Sequence, residues 1–235
     1  MNLASYIDHT LLKPEATPDD IHRLCREALH NGFYGVCVNS SYAALAHETL
    51  EIGVSRDMGI SDDSGILDIP KVVVVVGFPL GATLTEAKAA ETIVAVDTGA
   101  DEIDTVIPVG RLLAGDEDYV RRDIETVVDA AEGCPVKVII ETGLLDEARK
   151  IRACQLAVEA GATFVKTCTG FAPGSATVED VRLMVATVAG KCQVKASGGI
   201  RDRATALALI EAGATRLGTS SSIAIVSGGT SVQGY

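Results

Sequence analysis

Two lysines stand in matching settings. FVKTCTGF, residues 164–171, closes a short apolar run with Lys166, and QVKASGG, residues 193–199, does the same with Lys195. Small residues follow both. If the runs are adjacent strands, their backbones lie about 4.8 Å apart. Side-chain alternation then turns the apolar neighbours one way and both lysines the other. Two ammonium groups in one site repel each other, and desolvation disfavours the charged form, so both effects lower a lysine's proton affinity. A lysine partly neutral near pH 7 attacks a carbonyl and forms a Schiff base. Asp104, in EIDTVI, could pair with Lys195 and shuttle protons. The plainer alternative is that both lysines snorkel at a rim and merely solvate it.

Such chemistry needs elements to position it, and the chain repeats strand and helix. Helical patterns end in glycine at Gly32, Gly99, Gly133, Gly161, Gly190 and Gly213, and a strand-like run begins within a few residues of each. The runs are 7–10, 34–39, 72–77, 102–107, 136–141, 163–167, 193–197 and 215–219. Most are continuously apolar, as in parallel sheets covered on both faces. Thr17-Pro18-Asp19-Asp20, Thr83…Glu86 and Thr177…Asp180 read as helix starts with capping-box spacing. Eight units without a linker predict an α/β fold, a single (β/α)8 TIM barrel over residues 1–226, with a flexible tail at 227–235. Residues 51–70 read as a surface connection. An open doubly wound sheet is the alternative, weakened because no G-x-G-x-x-G follows the first strand.

In such a barrel, function gathers at the C-terminal strand ends. Asp8 and Thr10 sit on the first strand, Asp104 on the fourth, and the two lysines on the sixth and seventh. Thr169-Gly170, Ser197-Gly198-Gly199 and Gly218-Thr219-Ser220-Ser221 follow the last three strands. Glycines let amides approach an anion closely, and this placement predicts a phosphate site. His9, His22, His30 and His47 have no metal-ligand spacing, so no metal and no metal-assisted chemistry is expected.

The bulk numbers restrict the partners. The 235 residues carry a net charge of −12, which repels nucleic-acid backbones and anionic membrane surfaces. This balance suits a high-salt cytoplasm and equally an ordinary acidic enzyme. The longest apolar run, VVVVVGFPL, is too short to span a bilayer. The six cysteines include no C-x-x-C pair, and MNLASYIDHT has no signal-peptide pattern. A reduced, cytoplasmic protein is expected, with no nucleic-acid or membrane partner.

IDHTLLKP, GFYGVCVNSSY, VVVVVGFPLGA, GADEIDTVIPVG, FVKTCTGF, VKASGGIR and RLGTSSS together resemble the blocks of the deoxyribose-phosphate aldolase family, in the family's order. The resemblance covers essentially the whole chain. It implies a TIM barrel, no cofactor, and reversible cleavage of 2-deoxy-D-ribose 5-phosphate to D-glyceraldehyde 3-phosphate and acetaldehyde. It implies Lys166 as the Schiff-base lysine, Lys195 as the lysine that lowers its proton affinity, and Asp104 as the relay aspartate. Asp8 and Thr10 match positions near that relay. Thr169, Gly170, Gly198, Gly199, Gly218, Ser220 and Ser221 match phosphate-pocket positions. It also implies a homo-oligomer, a dimer or a tetramer. Phe171 stands where some members carry a phosphate-holding lysine, and Cys168 where many have serine. Tyr235 ends the chain as tyrosine does in some members. A Schiff-base aldolase for another aldehyde pair, and a catalytically silent sugar-phosphate binder, are the alternatives.

Overall fold

The computed structural model describes residues 2–56 and 69–229. Eight parallel strands close in sequence order into a barrel. They are β1 (Ile7–Leu11), β2 (Gly35–Asn39), β3 (Lys71–Val76), β4 (Glu102–Val106), β5 (Val136–Ile139), β6 (Phe164–Lys166), β7 (Gln193–Ser197) and β8 (Arg216–Thr219). The helices of the first half are α1 (Pro18–Asn31), α2 (Ala43–Arg56), α3 (Thr85–Asp97), α4 (Val109–Leu113) and α5 (Glu117–Ala130). Those of the second half are α6 (Glu147–Glu159), α7 (Val178–Val188), α8 (Arg203–Glu211) and α9 (Ser222–Ser227). The single-barrel expectation holds. Among the described residues no helix is long and apolar enough to cross a membrane.

Local sequence sets these boundaries. Thr17 and Asp20 form the reciprocal capping box at α1, and Gly32 ends that helix in the left-handed region at φ 63°. Thr177 caps α7 through the Asp180 amide. The expected box at Thr83…Glu86 does not form. The helix starts later, with Leu84 as its cap residue and no side-chain cap. Its start is held from across the layer instead, because Asp123 of α5 accepts from the Thr85 hydroxyl and the Lys88 ammonium at 2.7 Å each.

One of the predicted irregular segments needs correction. α2 continues to Arg56, because its inner face still packs on the core at Leu50. Thus 51–56 is helix, and 57–68 lies outside the described residues. α9 runs to Ser227 and Gly228 closes it at φ 81°, and most of the expected tail, 230–235, lies outside the described residues. Tyr235 lies outside the described residues.

The apolar side chains divide into two clusters. The larger lies between strands and helices and holds Val36, Val38, Val72, Val74, Val138, Val165, Val194 and Leu217. The smaller lies inside the barrel and holds Leu12, Cys37, Val73 and Val75, with Phe78 packed on it. Barrel interiors are ordinarily filled by bulky branched apolar residues. Here much of that volume is taken by buried charged side chains.

Candidate active site

Strand register brings the two lysines together. Lys166 pairs with Lys195 across β6 and β7, and Lys195 pairs with Arg216 across β7 and β8. Val165, Val194 and Ala196 point into the helix–strand layer, so the lysines point inward. Asp104 of β4 receives both: its Oδ2 lies 2.7 Å from each Nζ.

The rest of the cluster was not evident in the sequence. Lys137 of β5 bonds Asp104 Oδ1 at 2.8 Å and Glu102 at 2.6 Å. Lys195 also bonds Asp8 at 2.5 Å. Arg216 joins Asp8 at 3.1 Å to Glu102 at 2.9 Å. Glu102, Lys137, Asp104, Lys195, Asp8 and Arg216 therefore form a closed ring of alternating charge. Tyr34 donates to Glu102 at 2.8 Å, and its ring lies 3.2 Å from the Arg216 guanidinium carbon. The available signal was period-2 placement, since Glu102 precedes Asp104 by two residues and must share its face.

Burial and charge oppose each other throughout the ring. Burial favours a protonated Asp104, yet the ammonium groups of Lys137, Lys166 and Lys195 outweigh it and hold the carboxyl well below the usual range. Burial favours a neutral Lys195, but the carboxylates of Asp104 and Asp8 prevail and raise it. Two carboxylates touch Lys195, where the sequence suggested only Asp104. Asp8, also lowered despite burial, is held by Lys195 and Arg216. It therefore lies under the cavity and is not part of the cavity wall.

Above the ring opens a cavity of about 400 Å³. Lys166, Thr10, Thr169, Gly170, Gly198, Gly199, Gly218, Ser220 and Ser221 all line it. Asp104 and Lys195 are fully buried beneath it. Gly218 makes room for the ring below, because a Cβ there would meet Lys195 Cε and Ser197 Cβ at 3.1 Å each. At Gly199, φ is +74° and a Cβ would meet Ser175 Cβ at 2.6 Å, so only glycine fits the turn. Arg201 also lines the cavity, a cation that the sequence analysis did not single out.

Several hydroxyls on the wall are already committed. Thr10 donates to the Asp8 carbonyl at 2.8 Å, and Ser197 donates to the Cys168 carbonyl at 2.5 Å. Thr169 donates to Glu141 at 2.5 Å and accepts from the Phe171 amide at 3.1 Å. Glu141 is buried at φ 57°, a left-handed conformation that is costly for a non-glycine residue. Its bonds to the Thr169 amide and hydroxyl hold the β6 loop. Phe171 packs edge-on against Phe78, with ring centroids 5.3 Å apart. Among the described residues no cluster of His, Cys, Asp and Glu could hold a metal.

A closed βα barrel with a lysine exposed to a mouth cavity and charged partners beneath defines a barrel enzyme of carbonyl chemistry. The chain belongs to the DeoC/LacD family of aldolases, whose pattern matches residues 3–228. It is 53% identical to a deoxyribose-phosphate aldolase of Bdellovibrio bacteriovorus over the full length of both chains. It is 56% identical to one of Thermococcus gammatolerans, covering 97% of this chain and 96% of that one. Among solved structures, the tetrameric deoxyribose phosphate aldolase of Aeropyrum pernix superposes with a TM-score of 0.82 at 32% identity. That match covers 96% of this chain and 89% of the other.

Proposed function

We propose that the chain is a class I aldolase that reversibly cleaves 2-deoxy-D-ribose 5-phosphate to D-glyceraldehyde 3-phosphate and acetaldehyde, with Lys166 as the Schiff-base residue. One observation carries the assignment: of the four interior cations, Lys166 alone lines the cavity. It is also the most weakly held. Lys137, Lys195 and Arg216 each touch two carboxylates, whereas Lys166 touches only Asp104 among the described residues.

The amine of Lys166 adds to the C1 aldehyde of the open-chain sugar, and loss of water gives an iminium. The products have two and three carbons, so the bond that breaks is C2–C3. Its electron pair flows into the iminium and gives an enamine, while the C3 hydroxyl proton passes through a water to the Asp104–Lys195 relay. The C3 oxygen becomes the carbonyl of glyceraldehyde 3-phosphate. Protonation of the enamine at C2 and hydrolysis release acetaldehyde and restore the amine.

The phosphate is assigned to the opposite wall. Amides of Gly170, Gly199 and Ser220 have no acceptor among the described residues and border the cavity. With the wall hydroxyls of Thr10, Thr169 and Ser197 engaged, the anion rests on these amides, on Ser220 and on Arg201. Arg201 supplies the cation that Phe171 does not. The glycine-rich wall and its cation favour cleavage over the silent-binder reading only together with Lys166 at the cavity floor. Homo-oligomerisation is part of the proposal, supported by the Aeropyrum pernix tetramer. A cytoplasmic location, supported by six free thiols, is another part of it.

The test is reductive trapping with acetaldehyde followed by peptide mass spectrometry. An ethyl adduct on Lys166 is expected. An adduct on Lys195 would reverse the lysine roles, and none on folded protein would favour a silent binder.

A further inference from the structure

The interior cluster has an uneven charge count. Lys137, Lys166, Lys195 and Arg216 face Asp8, Glu102 and Asp104. Four cations against three carboxylates leave one positive charge in surplus. A buried surplus charge is costly, and release of a single proton removes it. Of the four cations, Lys166 is the one held by a single carboxylate and lining the cavity.

Glu102 and Arg216 lie at the far end of this cluster. Glu102 is the first residue of β4 and Arg216 the first of β8, so both sit at the N-terminal end of the barrel, away from the cavity. Residues there ordinarily serve stability. Both are nearly buried, and each lies two strands from Lys166, on opposite sides of it. We infer that Glu102 and Arg216 are positioning residues for the reaction: they fix the interior charge balance that decides how readily Lys166 becomes the neutral amine. They act through the ring, Glu102 by way of Lys137 and Asp104, Arg216 by way of Asp8 and Lys195. The inference rests on the reading of Lys166 as the Schiff-base residue.

The count covers the bonded cluster, and two further charges lie near it: Glu141, buried past the end of β5 and bonded to Thr169, and Arg201, which lines the cavity. β1 contributes Asp8, β4 Glu102 and Asp104, β5 Lys137, β6 Lys166, β7 Lys195 and β8 Arg216. β2 contributes Cys37, whose thiol burial pushes up to about 11, so it carries no charge near neutrality. β3 contributes Val73 and Val75, and its first residue, Lys71, is half-exposed and paired with Asp101 at 3.2 Å.

Opposite charges then give opposite effects. Glu102→Gln raises the surplus to two and favours the neutral amine, so the acid limb of Lys166 trapping moves to lower pH. Arg216→Gln removes the surplus and holds Lys166 charged, so the limb moves to higher pH. Two strands' separation is roughly 10 Å. At an effective dielectric near 20, each displacement is about one pH unit. Arg216→Lys keeps the charge and retains the wild-type profile.

The experiment follows the rate of acetaldehyde trapping on Lys166 between pH 5 and 9 by peptide mass spectrometry, with thermal melting to confirm folding. Displacements of opposite sign in the two single variants, and a near wild-type profile in Glu102→Gln/Arg216→Gln, establish the inference. The double variant removes both partners and strands no unpaired charge, so it remains informative if a single variant fails to fold. Profiles that stay fixed, displacements of the same sign, or a double variant displaced by a full unit would overturn it. Absence of any wild-type adduct on Lys166 overturns the aldolase reading instead, so the two failures are distinguishable.

Discussion

Lys166 and Lys195 stand in register on neighbouring strands and donate to one and the same oxygen, Asp104 Oδ2, at 2.7 Å each. Yet they differ in two respects. Lys195 is fully buried and shared with Asp8, whereas Lys166 lines the cavity. One shared oxygen thus connects a lysine that reaches the cavity to a lysine that does not.

This difference predicts different losses. Lys166→Leu abolishes both the trapped adduct and turnover. Lys195→Leu leaves Lys166 able to form an imine slowly, with turnover reduced by about 10²–10⁴-fold, the usual range for general acid–base groups. Steady-state kinetics beside reductive trapping separates the two. Equal loss of adduct in both variants would contradict the division of roles.

The ring also predicts how stability varies with pH. Asp104 is lowered below its ordinary 3.8, so its contribution is present above that value and is lost as pH falls through the folded-state value. Lys195 is raised above its ordinary 10.5, so its contribution is complete below 10.5 and is lost only at still higher pH. A broad plateau of melting temperature is expected between them, with a steep decline below about pH 4. Thermal melts from pH 2 to 10 check this, and Asp104→Asn should flatten the acid decline.

A second buried pair lies outside the site. Lys88 and Asp123 meet at 2.7 Å between α3 and α5, both essentially inaccessible, and Lys88 also donates to the Val106 carbonyl at 2.8 Å. Burial lowers Lys88 despite the partner carboxylate. Asp123→Leu strands that ammonium and should cost about 3–5 kcal/mol, whereas Lys88→Met/Asp123→Leu should recover much of the loss. Urea unfolding gives the comparison, and a double variant no better than the single one argues against it.

The phosphate wall gives a prediction about selectivity. Arg201→Ala should raise KM for 2-deoxyribose 5-phosphate by about 10-fold or more, the value of a charge-assisted hydrogen bond. Activity on unphosphorylated 2-deoxyribose should change little. Phe171→Lys should move the preference toward the phosphorylated sugar. Parallel losses on both sugars after Arg201→Ala would place the guanidinium outside the phosphate site.

The fold was legible because each strand's pattern is local. Gly32 ends a helix through its own backbone, and Thr17 with Asp20 starts one within four residues. Lys166 and Lys195 were legible for the same reason, since alternation along three residues decides which way each points. The ring was not legible. It closes through Asp8 and Arg216, 208 residues apart, and its geometry depends on side-chain reach across the barrel. Lys137 sits in VKVII, where the apolar run continues past it and hides the pattern seen at Lys166. Thr83 failed as a cap because Asp123, 38 residues from Thr85, decides where α3 begins. The rise in Lys195 was not legible because Asp8, the second carboxylate that offsets its burial, lies 187 residues away in the chain.

The interior of this barrel is filled by reagents. In most globular proteins one set of residues keeps the structure compact and another performs the work, so each can change alone. Here charged side chains proposed for the chemistry occupy much of the barrel's centre, beside the apolar Leu12, Cys37, Val73 and Val75. Replacing the whole ring with well-fitted apolar residues removes the desolvation cost of its charges. The most heat-resistant descendant of this sequence is therefore an inert one, and selection for durability alone leads away from function.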